Sequence, residues 1–72
     1  MSVFETESGV ALNTDYIVLV GKICYNNTNE KYYFTVVLSN MEANLNMEFD
    51  TEEKAKTERY RLIRVMTYGN EL

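Results

Sequence analysis

Histidine, tryptophan and proline are absent from this 72-residue chain, and it has one cysteine, Cys24, and three glycines. Without histidine the commonest general base is missing, which removes Ser-His-Asp and Cys-His nucleophile systems. A lone cysteine closes no intramolecular disulfide, and with no histidine beside it the nitrogen and sulfur ligands of a structural zinc site are lacking. No apolar run approaches the roughly 18 residues of a membrane-spanning helix. The opening MSVFETE carries acidic residues where a signal peptide has a basic stretch and then an apolar one. These absences predict a cytoplasmic protein that needs no metal, no cofactor and no membrane. Asn26-Asn27-Thr28 fits the N-glycosylation acceptor pattern, and in a cytoplasmic protein it reads as a turn.

What remains is 46% hydrophobic, with eleven acidic and seven basic residues and a net charge of −4. At this length residues 1–72 are expected to form a single domain that buries only about 60% of its unfolded surface, so a partner that adds burial would help it. The charge is unevenly spread. Residues 1–50 hold two lysines against seven carboxylates, whereas residues 51–72 hold five basic and four acidic side chains.

The hydrophobic period changes near Asp50. Before it, residues 14–25 (TDYIVLVGKICY) and 31–39 (KYYFTVVLS) are rich in β-branched and aromatic residues, and the polar cluster at 26–30 between them reads as a hairpin loop of about five residues. A second turn, Asn40-Met41-Glu42-Ala43, leads to a stretch in which Leu45, Met47 and Phe49 alternate with Asn46 and Glu48, the pattern of a strand with one buried face. Residues 3–6 and 9–12 read as short extended pieces meeting at Ser8-Gly9. After Asp50 the spacing turns helical over 51–68. Asp50 and Glu53 suit a capping pair, Ala55, Leu62 and Met66 share one face with Ile63 and Val65 on its flanks, and Gly69 supplies the stop before a tail at 69–72. The predicted fold is α+β: a small antiparallel β-sheet of about four strands over residues 1–50, followed by one C-terminal α-helix packed on one face, in ββββα order.

Parity assigns Ile17, Leu19 and Ile23, then Tyr32, Phe34, Val36 and Leu38, then Leu45, Met47 and Phe49 to the helix-facing core. The opposite parity holds Tyr16, Val18, Val20, Tyr33, Thr35 and Val37, where a solvated face would carry polar residues. Three accounts of this second face stand: a dimer interface, which is preferred, a sheet curled into a small barrel, or an exposed β-rich surface.

The phrase Gly9-Val10-Ala11-Leu12-Asn13-Thr14-Asp15-Tyr16-Ile17-Val18, followed by a strand ending Val37-Leu38-Ser39-Asn40, resembles the small flagellar FlbD-type family and, more distantly, the LytTR DNA-binding domain. FlbD-like proteins have a similar turn into a strand, a "leucine-x-asparagine-glycine" hairpin and a terminal helix. Met41 stands where the hairpin glycine would be, and the 26–30 loop and the helix are longer. The resemblance implies the order of elements and carries over no functional residue.

Six tyrosines, among them Tyr16, Tyr25, Tyr32 and Tyr33 on strands, suit stacking on single-stranded nucleic acid, but the acidic sheet half offers no positive groove. The carboxylates Glu5, Glu7, Asp15, Glu30, Glu42, Glu48 and Asp50 are too scattered to favour mimicry of a phosphate chain. The outward helix face gathers Lys54, Tyr60, Arg61, Arg64 and Tyr68, a candidate partner-binding surface whose plain alternative is a solvated face. Arg59, beside the apolar stripe, is expected to cover the core with its stem and to pair with a sheet carboxylate such as Glu48 or cross a dimer interface. Lys22 and Cys24 have no base or phosphate loop beside them, so no enzyme activity is expected. The resulting expectation is a small non-enzymatic protein-binding or regulatory protein acting as a homodimer, of the kind bacteriophages and mobile elements use to modulate a host factor. The alternative from another class is a dimeric ββββα regulator that binds single-stranded nucleic acid or DNA.

Overall fold

The computed structural model describes residues 3–6, 9–39 and 44–68. The turn at 40–43, the stop at Gly69 and the tail 69–72 lie outside the described residues. The chain folds as a small antiparallel sheet with one C-terminal helix packed on it, an α+β architecture. Its elements are β1 (Val3–Glu5), β2 (Ala11–Asn13), a 3-10 turn (Thr14–Tyr16), β3 (Ile17–Val20), β4 (Cys24–Asn26), β5 (Lys31–Leu38), β6 (Leu45–Phe49) and α1 (Glu52–Tyr68).

The expected strand over 14–25 is three pieces. Asn13 starts the break: its Oδ1 accepts the Asp15 backbone N–H at 3.0 Å, the local bond by which asparagine draws a chain into a turn. β3 and β4 then lie along the same edge of β5, because Val36 pairs with both Val20 and Leu45, and Tyr32 with both Tyr25 and Phe49. The sheet is thus a broken strand, a long central strand and β6, and it stays open, since no pairing joins β6 to β3 or β4 among the described residues. β1 and β2 form a separate two-stranded ribbon that brings Phe4 and Leu12 into the core.

Two register irregularities reset the parity of the broken strand. Ile17 pairs with Leu38 but Leu19 with Val37, so Val18 is an extra residue. Gly21 donates its N–H to the Thr35 carbonyl at 2.7 Å while Cys24 pairs with Tyr33, so Lys22 and Ile23 together oppose Phe34. Each insertion acts as a bulge and turns the residues beyond it over. Leu19, expected in the core, is therefore 53% exposed, and Val20, expected on the far face, packs against the core.

Phe34 and Val36 of β5, and Ala55 and Leu62 of the helix, are fully buried, with Met47, Phe49, Ile17 and Leu38 around them. The Phe34 and Phe49 rings stack with centroids 5.8 Å apart. Burial of each large side chain here stabilises the fold by about 1.5–3 kcal/mol. The helix stripe is Ala55, Glu58, Leu62 and Val65, a 3-4-3 spacing, and Met66, expected in the stripe, is 38% exposed. The helix cap is Thr51 rather than Asp50: the Thr51 hydroxyl accepts the Lys54 N–H at 3.1 Å and its carbonyl accepts from Ala55. Asp50 turns back to the sheet and pairs with Lys31.

Candidate functional site

The open face of the sheet is built in cross-strand rows. The pairings place Leu19 beside Val37, Gly21 and Asn46 on either side of Thr35, and Cys24 and Glu48 on either side of Tyr33. The Thr35 hydroxyl donates to Asn46 Oδ1 at 2.8 Å across the strands, and Asn29 Nδ2 donates to Glu48 Oε2 at 3.1 Å. One end of this face is aliphatic, its middle is polar and its other end joins an aromatic ring to a carboxylate. Of the six residues assigned to it by parity, Tyr33, Thr35 and Val37 lie there half-buried. Val18, the inserted residue, is 63% exposed, Tyr16 is exposed in the 3-10 turn and Val20 belongs to the core. Leu19 was missed, because strict alternation cannot register an insertion.

The tyrosines do not share a face. Tyr25 and Tyr32 are cross-strand partners with ring centroids 4.9 Å apart, while their neighbour Tyr33 points to the opposite side of β5. That dispersal leaves no continuous stacking platform on the sheet.

On the helix, Arg64 lies between two rings, 5.7 Å from the Tyr60 centroid and 5.9 Å from that of Tyr68. The spacing i, i+4, i+8 makes this a ladder along one exposed face. Lys54 is exposed but stands about 120° round the helix from Tyr60. Arg61 leaves the expected surface: it pairs with the buried Glu58 and lies over the Phe4 ring, 5.0 Å from its centroid. The two residues join helix to ribbon, and their signal in sequence is an acidic residue at a core position, three after Ala55 and four before Leu62. Arg59 also differs from expectation, since its Nε donates to the Gly21 carbonyl at 2.8 Å rather than reaching Glu48. The helix is thereby tied to the bulge.

Lys31 and Asp50 close the far end of the sheet. Their hydrogen bond, and then their opposite charges, raise the Lys31 ammonium above the ordinary lysine value and hold the Asp50 carboxyl below the ordinary aspartate value. Cys24 is a free thiol, partly buried, 3.7 Å from the Lys22 carbonyl. Among the described residues no three acidic or cysteine side chains gather where a metal ion would sit, and no helix is long and apolar enough to cross a membrane.

No protein-family model, curated protein or solved structure matches the chain.

Proposed function

We propose that the chain is a small non-enzymatic protein-binding protein that acts as a homodimer through the open face of its sheet. One observation carries this reading: no described element covers the face opposite the helix, and its aliphatic end holds Leu19, 53% exposed, beside Val37, with the 63% exposed Val18 next in the chain. A sheet with one face in water ordinarily alternates to polar residues there. Two copies stacked face to face at the usual spacing of about 10 Å would cover Leu19 and Val37 in both, since a two-fold axis uses the same patch twice. Size and composition extend the proposal to a host factor as the further partner, bound by a bacteriophage or mobile-element protein. The test is the mass in solution by light scattering, expected at twice 8.4 kDa. Leu19→Lys combined with Val37→Lys is expected to give a folded monomer, and a monomeric mass for the unaltered chain at high concentration would overturn the dimer.

A second reading, binding of single-stranded nucleic acid, is favoured by the Tyr60-Arg64-Tyr68 ladder, which couples stacking rings to a cation. A labelled oligonucleotide that does not shift with the protein at low salt ends that reading.

A further inference from the structure

β6 pairs with β5 along one edge, and its other edge has no backbone partner among the described residues. Which groups face outward follows from the ladder. Thr35 turns its main-chain groups toward Gly21, so Phe34 and Val36 turn theirs toward β6 and bond Met47 and Leu45. Asn46 and Glu48 therefore aim an N–H and a C=O each away from the sheet.

Along this edge runs an open groove of about 380 Å³, lined by every residue of β6, by Thr6 and Val10, which extend the ribbon strands at their joined end, and by the buried Glu58. Successive strand residues point to opposite faces, so a groove that touches all five lies along the edge and not on one face. Edges exposed to solvent are usually blunted by a bulge, a proline or a lysine. The β3–β4 edge has two bulges and Lys22, whereas β6 keeps an unbroken register with β5 and carries one charge, Glu48. The edge is regular, unblunted and walled by the ribbon.

We propose that the free edge of β6 takes an extended segment of a partner protein by strand addition, and that the segment alternates apolar and basic residues. This names the partner chemistry of the protein-binding reading and rests on it. The alternation follows from the pleat. One set of incoming side chains enters the groove beside Leu45, Met47 and Phe49, and the other set lies on the open face beside Asn46 and Glu48. The basic character follows from charge: the ionisable residues lining the groove are Glu48 and Glu58, and Glu58 already holds Arg61. The nearby Lys31 is engaged by Asp50. Glu48 accepts a hydrogen bond from the neutral Asn29 amide, and among the described residues no lysine or arginine forms an ion pair with it, so a cationic segment meets a carboxylate whose charge is not yet paired.

The test titrates the full-length, nitrogen-15-labelled chain with the end-blocked peptide Lys-Val-Lys-Val-Lys-Val-Lys and follows amide hydrogen exchange. Exchange at Asn46 and Glu48 is expected to slow by at least about tenfold at saturation. The same peptide N-methylated at alternate residues should give no protection, and Glu48→Lys, at an exposed position, should reverse the preference toward a Glu-Val counterpart. Unchanged exchange at Asn46 and Glu48, or equal protection by the methylated peptide, overturns the proposal. So does protection of these two amides in the free protein at high concentration, which would mean that a second copy's β6 occupies the edge. Peptide protection that survives in the Leu19→Lys, Val37→Lys double variant separates this site from the dimer face, so either can fail alone.

Discussion

The two faces of β5 are one strand read on alternate residues, and they differ in what covers them. Phe34, Val36 and Leu38 lie under the helix and are buried, the first two completely. Among the described residues Tyr33, Thr35 and Val37 have their cross-strand neighbours for shelter and are half-buried. The covered row is wholly apolar and the other mixes a tyrosine, a threonine and a valine, yet Val37 is half-buried where its neighbour Val36 is fully buried, so the neighbouring layer sets burial beyond residue type. The helix forms that layer on one side because its stripe of Ala55, Leu62 and Val65 has nowhere else to be buried. No described element covers the other side.

Truncating each face in turn separates their roles most directly. Phe34→Ala is expected to destabilise the chain by about 3–5 kcal/mol, since it leaves a cavity beside the Phe49 ring that its surroundings fill only in part. Val37→Ala should cost under about 1 kcal/mol in dilute solution, with a loss that grows with protein concentration where the open face is an interface. Urea unfolding at two concentrations checks both. A large, concentration-independent loss for Val37→Ala would mean that the open face is core after all.

Arg59→Ala tests how the covered face is held. Its bond to the Gly21 carbonyl ties the helix to the broken edge strand, and a hydrogen bond from a charged donor is worth about 1.5–3 kcal/mol. The urea midpoint should fall accordingly, and amide exchange at residues 21–24 should quicken before exchange in β6 does.

The smallest effect expected is that of the Lys31–Asp50 pair, which is exposed at the end of the sheet. Because the Asp50 carboxyl is held below its unfolded value, its contribution is present at neutral pH and fades as pH falls through the folded value. Lys31 is raised, so its share is present through neutral pH and is lost only as pH climbs through its folded value, above the ordinary lysine range. Asp50→Asn should therefore lower the urea midpoint slightly at pH 7 and not at all at the acid end.

Much of this arrangement was legible in the residues. β5 and β6 follow from clean alternation, and the helix from its change of period, because each is a long run with one dominant repeat. The residues that misled lie where a local backbone event interrupts the repeat. Asn13 draws 14–16 into a turn although Tyr16 and Ile17 favour strand, and the insertions at Val18 and at Lys22 and Ile23 exchange the places of Leu19 and Val20. The cap at Thr51 competes with an equally plausible Asp50, and only Lys31 across the sheet decides between them. Of the candidate surfaces, the helix ladder of Tyr60, Arg64 and Tyr68 follows from spacing alone. Arg61 leaves that face because it pairs with the buried Glu58 and lies over Phe4, a residue far from it in the chain.

Composition and periodicity suffice to specify an α+β chain with a helix after its strands, a charge divided into an acidic sheet half and a weakly basic helix half, and a sheet with apolar residues on both faces. Periodicity and composition are local properties, and those conclusions need nothing more. Tertiary pairing puts β3 and β4 on one edge of β5, turns Leu19 and not Val20 outward and, among the described residues, leaves the outer edge of β6 without a strand partner. Those outcomes depend on hydrogen-bond register between distant segments, where one inserted residue turns a strand over, and no local pattern carries that information.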